Sequence, residues 1–174
     1  MMRRRRPGLG YTAVALATLA FFGVACGTPA PKGILAVERA QDGGVRLLLA
    51  DCPGYVAQDV SVIADTDDDS ELVDWSVHNS GRTSSVRDIQ VFQGPPEGWR
   101  TTGDTLTALR EGVPYVANVN GNVGGRGLRG RVPFTVEDLK GLGSGEVLTW
   151  NGGDKNVKTD RDDFLHGDPD RCKP

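Results

Sequence analysis

What this sequence has little of narrows it first. Among 174 residues there are two histidines, His78 and His166, and three cysteines, and aromatic residues make up 6%. Nucleophilic catalysis needs a nucleophile, a base and an orienting acid within reach of one another. Near His78 the chain offers Ser76, Ser80 and Asp74 but no nucleophile-elbow pattern, and His166 stands in a polar stretch. No two cysteines have zinc-ligand spacing. No internal repeat recurs at a spacing of about 20–50 residues, which excludes a solenoid. The 24 glycines follow no period, which excludes a collagen-like chain. Long helical patterning is also missing. The one long apolar run, residues 12–25, covers roughly 20 Å at about 1.5 Å per residue, against a hydrocarbon core of about 30 Å. It is too short for a permanent membrane span.

What is present begins with Met1-Met2-Arg3-Arg4-Arg5-Arg6, then that apolar run, then small residues. A basic head, an apolar middle and a small-residue end read as a secretory signal over residues 1–25. The stretch Gly23-Val24-Ala25-Cys26 resembles the lipobox of bacterial lipoproteins, although Gly23 stands where that pattern usually has an aliphatic residue. The resemblance implies that the Cys26 thiol receives a diacylglycerol, with palmitate-type acyl chains, and becomes the first residue after cleavage. Residues 26–33, small and Pro-rich, are then a flexible tether. The expected place is the outer face of the cytoplasmic membrane. Ordinary cleavage near Ala25 or Ala30, giving a freely secreted protein, is the alternative.

Three cysteines are an odd number for an exported chain. With Cys26 carrying lipid, Cys52 and Cys172 remain to form a disulfide in an oxidising compartment. Such a bridge ties the C-terminal tail to the body. In the chain-entropy model it contributes up to about 4–5 kcal/mol.

Loss of residues 1–25 leaves 149 of the 174 residues, one domain's worth. It also removes four arginines. Basic residues fall from 20 to 16 against 23 acids, which takes the net charge from −3 to −7. An acidic chain is repelled by phosphate backbones, so nucleic acid is not an expected partner.

Along the body, strand-like runs fall at residues 34–40, 45–49, 55–63, 72–78, 86–92, 105–109, 113–119, 128–136 and 147–150. Val73, Trp75 and Val77 share one face, as do Val113, Tyr115, Ala117 and Val119. Turn residues separate the runs: Gln41-Asp42-Gly43-Gly44, Cys52-Pro53-Gly54 and Gly94-Pro95-Pro96-Glu97-Gly98. Thr135 with Asp138 signals one helical turn. From Gly152 onward the chain reads as a polar tail. Eight or so short strands with turns between them predict an all-β fold, an antiparallel sandwich over residues 34–174. The immunoglobulin- or fibronectin-like sandwich is the expected type. Leu139-x-x-Leu142-x-x-Gly145 resembles a loop of fibronectin-type domains. The stretches around Trp75-Ser76-Val77 and Val91 to Trp99, with residues 134–150, resemble small secreted and lipoprotein domains of actinomycetes. That likeness implies location and fold and carries no activity.

Other chemistry is suggested and mostly refused. Residues 125–130 spell G-x-G-x-x-G, but a turn precedes them and Pro133 follows, so they read as a hairpin feature, running from a glycine-rich loop over 120–127 into the returning strand. Asp65, Asp67 and Asp69 occupy the first three ligand positions of an EF-hand loop. Ser70 stands where that loop needs Gly, and Ser76 where it needs Glu. They remain calcium candidates of a looser kind; the plainer reading is a solvated turn. No cofactor is implied. Trp75 and Trp150 fit core positions, whereas Trp99 follows a Pro/Gly turn and is the candidate platform for a sugar ring. The expectation is a lipid-anchored, non-enzymatic module that contacts a cell-envelope protein or wall component. A secreted carbohydrate- or calcium-binding module and a small hydrolase are the alternatives.

Overall fold

The computed structural model describes residues 31–66, 73–81, 86–153 and 155–174. Cys26, Asp67 and Asp69 lie outside the described residues. Ten strands follow one another: β1 (Leu35–Arg39), β2 (Val45–Leu49), β3 (Tyr55–Ala64), β4 (Asp74–Asn79), β5 (Asp88–Gln90), β6 (Trp99–Asp104), β7 (Tyr115–Val123), β8 (Arg126–Phe134), β9 (Glu146–Thr149) and β10 (Val157–Asp160). Two short helices, α1 (Val136–Lys140) and α2 (Arg161–His166), flank the last two strands. The strands make two five-stranded antiparallel sheets, ordered β10-β9-β1-β2-β5 and β6-β4-β3-β7-β8. The chain is all-β, with one core drawn from both sheets.

Alternation builds that core. Trp75 and Val77 of β4, Tyr115, Ala117 and Val119 of β7, and Leu128 and Val132 of β8 point inward and are buried. In β1 and β2 the apolar runs Leu35-Ala36-Val37 and Leu47-Leu48-Leu49 are buried throughout, as expected of strands covered on both faces. Strand β3 changes phase. Tyr55 and Ala57 are buried at odd positions, Val60 and Val62 at even ones. The switch is a β-bulge: Ala57 faces Gly121, Asp59 faces Asn120, and Gln58 has no opposite.

At Gly130 the backbone of one sheet comes close to the other. The chain enters along the edge of β8, where Lys32 N–H donates to the Arg129 carbonyl at 2.7 Å. It then crosses to begin β1. A Cβ on Gly130 would lie 2.7 Å from the Leu35 Cβ and 2.9 Å from the Val119 Cγ1.

The described residues form ten strands, in line with the eight or so short strands expected. Three expectations are corrected. Residues 105–109 are not a strand; the strand is β6, whose polar sequence WRTTGD carries no alternation. The hairpin loop over 120–127 is a two-residue turn: Gly124 and Gly125, both with positive φ, join β7 to β8, the geometry that matches strand twist. The polar tail is ordered structure. Asp160 caps α2, whose Phe164 is fully buried. Asp51 N–H donates to the Leu165 carbonyl at 3.1 Å. Cys52 and Cys172 are joined in a disulfide, their Cα atoms 5.3 Å apart. Arg171 covers the Phe164 ring at 5.0 Å. The capping box of α1 is formed as its spacing signals, with Thr135 Oγ1 accepting from Asp138 N–H at 3.1 Å and Asp138 accepting from Thr135 N–H at 2.9 Å.

Overpacking of the kind Gly130→Ala introduces costs about 1–3 kcal/mol. Urea unfolding should show that loss. Gly94→Ala, at a position with open space around it, should stay within about 0.5 kcal/mol of the parent.

Candidate functional site

Register gives the sandwich two distinguishable ends. Ala50 N–H bonds the Ile34 carbonyl at 2.9 Å, so the start of β1 and the end of β2 coincide. The Cys52–Cys172 bridge, the start of β3 at Tyr55 and the Gly124-Gly125 turn opposite it share that end. Chain entry and C-terminus therefore leave together. At the far end lie the β1–β2 turn, residues 91–92 after β5, residues 105–112 after β6, and α1 after β8.

Between the sheets at this far end a cavity of about 280 Å³ opens. Val45, Phe92, Leu109, Val136 and Leu139 supply its apolar wall, with Ala108 at the mouth and Arg39 and Lys140 as the charged groups. Each wall is held by a specific bond. In the β1–β2 turn the Asp42 carboxylate accepts from Gly44 N–H at 3.0 Å and from the Gln90 amide at 2.6 Å. Leu106 is buried, and its N–H donates to the Asp74 carbonyl at 2.8 Å. The buried Tyr115 hydroxyl accepts from Arg110 N–H at 2.8 Å, which pins the loop back onto β7. Lys140 of α1 pairs with Glu111.

Phe92 is the conspicuous member. Among the described residues it is the one non-glycine with positive φ, +66°. Such a backbone costs of order 1–3 kcal/mol and persists only where its surroundings impose it. Here Val91 N–H is fixed to the Val45 carbonyl at 2.9 Å. The Phe92 ring meets Trp75 edge-on at 6.4 Å. The same residue thus touches the core tryptophan and lines the cavity.

A second, polar cavity of about 360 Å³ lies on the outer face of the β3 sheet, lined by Gln58, His78, Ser80 and Asn122 among others. The bulge at Gln58 brings Asp59 opposite His78, and the His78 Nδ1 and Asp59 Oδ1 atoms are 2.7 Å apart. Of the groups that the sequence offered to His78, Ser80 shares the cavity but makes no hydrogen bond to the imidazole. Asp74 and Ser76 are bonded to each other at 2.9 Å instead. The acid at His78 is Asp59, whose only sequence signal is the change of phase along β3. His166 sits on α2, bonded to the Asp162 carbonyl at 3.2 Å.

Trp99 is buried, 7% exposed, so its ring is not presented to a sugar. Asp65 is exposed, with its N–H bonded to the Pro114 carbonyl at 2.9 Å. Among the described residues no three of His, Cys, Asp or Glu gather as a metal site. No protein-family model, no curated protein and no solved structure matches this chain.

The walls of the far-end cavity respond to acid. The Gly44 N–H holds the Asp42 carboxyl below its ordinary pKa, and the Lys140 hydrogen bond and charge do the same for Glu111. Both carboxylates therefore stabilise the folded form above the ordinary carboxylate range, and that contribution is lost as pH falls through their depressed values. Protection of the Gly44 amide against hydrogen exchange should decline as pH is lowered through and below the ordinary carboxylate range, and Asp42→Asn should show the lower protection already at neutral pH.

Proposed function

We propose that this chain is a non-enzymatic binding module of the cell envelope, held at the outer face of the cytoplasmic membrane by a diacylglyceryl group on Cys26. One observation carries the reading. Chain entry and the disulfide-held C-terminus leave from one end, while the cavity with its strained Phe92 opens at the other. The seven residues Gly27 to Gly33 reach at most about 25 Å. A tether that short keeps the entry end beside the bilayer and turns the far end outward. A protein or wall component of the envelope is the partner this orientation suits. The disulfide agrees with an oxidising compartment.

The strand order supports the immunoglobulin- or fibronectin-like form of sandwich. Strands β1, β2 and β5 are neighbours in one sheet and β4, β3, β7 and β8 in the other, the order of strands A, B and E against C′, C, F and G. Tyr115 opens β7, and its hydroxyl returns to the backbone five residues upstream, as in the tyrosine corner of such domains. Strand β6 and the β9–β10 pair are additions at the edges.

A small hydrolase is the second reading, because His78 and Ser80 line one polar cavity and His78 is bonded to Asp59. The pair lacks a hydrogen-bonded nucleophile and is largely exposed, so it stands below the binding reading.

Cys26→Ala should move the protein out of the membrane fraction and leave its precursor uncleaved. Retention in the membrane at mature size would overturn the anchor. Intact mass of the extracted protein should show the added acyl groups and two hydrogens fewer than the reduced chain. For the second reading, p-nitrophenyl acetate turnover by the wild type should not exceed that of His78→Ala.

A further inference from the structure

We infer that the far-end cavity takes a small monocarboxylate with a short alkyl or aryl body. The inference rests on reading that end as the binding face, and it names the ligand's chemistry. The wall is apolar on three sides: Val45 from the β1–β2 hairpin, Phe92 after β5, and Leu139 with Val136 from α1. Apolar surface of this kind gains by excluding water from an alkyl chain or ring. At about 280 Å³ the space is small, which limits the occupant to a short chain or a single ring.

The charge of the rim selects the head group. The cavity is lined by two cations, Arg39 and Lys140, and by no carboxylate, although the chain as a whole is acidic. Lys140 is engaged by Glu111. Arg39 is exposed and makes no ion pair with any described residue. Its near neighbours are committed elsewhere. Asp42 holds the Gly44 N–H and Gln90. Glu38 lies between Arg46 and Arg161, at 3.3 and 3.1 Å. Arg39 also borders the adjoining cavity of about 320 Å³, where Glu146 is bonded to the Gly143 N–H at 2.8 Å. The Arg39 guanidinium is therefore left to a ligand, and its planar fork suits a carboxylate. An apolar floor with a guanidinium at its lip matches an acid whose tail goes in and whose head stays at the mouth.

The probes are octanoate, 1-octanol and octylamine, titrated into the isotope-labelled mature domain and followed by amide shifts. Octanoate should give saturable shifts at Gly43, Gly44, Leu109 and Leu139, and should bind at least tenfold more tightly than octylamine. Arg39→Gln should weaken octanoate about tenfold and leave 1-octanol unchanged. Ala108→Trp, which fills the mouth, should abolish both. Equal binding of octanoate and octylamine, or an Arg39→Gln variant that binds octanoate as the parent does, overturns the carboxylate assignment while the far end stands as a binding face. Absence of saturable shifts with any probe overturns the cavity as a ligand site altogether. The lipid anchor is scored separately by membrane fractionation. Thermal melts matching the parent exclude misfolding as the cause of any loss.

Discussion

Two facing sheets bury a common core only if every strand keeps its apolar side chains in phase, and in β3 that phase depends on one extra residue. This strand is the middle of its sheet, with β4 on one side and β7 on the other. Without the bulge at Gln58, either Tyr55 and Ala57 or Val60 and Val62 would face solvent. A one-residue slip moves a whole set of side chains to the other face of a sheet. The bulge keeps all four inside and, on the outer face, places Asp59 against His78. Core packing and the polar cavity are thus two consequences of one insertion.

The division of the molecule into two ends follows from the same sheets. Antiparallel pairing returns the chain to the entry end again and again, where the connections include the Gly124-Gly125 turn and the Cys52-Pro53-Gly54 crossover closed by the disulfide. The far end carries the longer loop after β6 and the helix after β8. These do not close over the sandwich completely. The gap between them is the apolar cavity, bounded by the hydrogen bonds of Asp42, Tyr115 and Glu111. Phe92 is held there against its backbone preference. A side chain kept in such a state by the contacts around it is the strongest local argument that the gap has a use.

Much of the architecture was legible because burial leaves a period in the sequence. Strands β3, β4, β7 and β8 alternate, and β1 and β2 run continuously apolar, so both kinds can be read. The capping box at Thr135 and Asp138 is equally local. Edge strands β6 and β10 escaped because a strand at a sheet margin needs partners for its backbone more than an apolar face. WRTTGD and VKTD say nothing of this until β4 and β9 are in place to receive them. Trp99 misled for a related reason: a Pro/Gly turn beside it suggested exposure, but β6 carries the indole inward.

By itself the sequence determined the all-β class, most of the turns, the acidic balance of charge and the cysteines available for pairing, all of which depend on residue type and short spacing. Tertiary structure alone decided which end the cavity occupies, that Asp59 rather than Asp74 meets His78, and that Arg39 stands beside an apolar wall with no ion pair among the described residues. These are relations between residues distant in the chain. They exist only once the register between strands is set, and no period within a single strand encodes them.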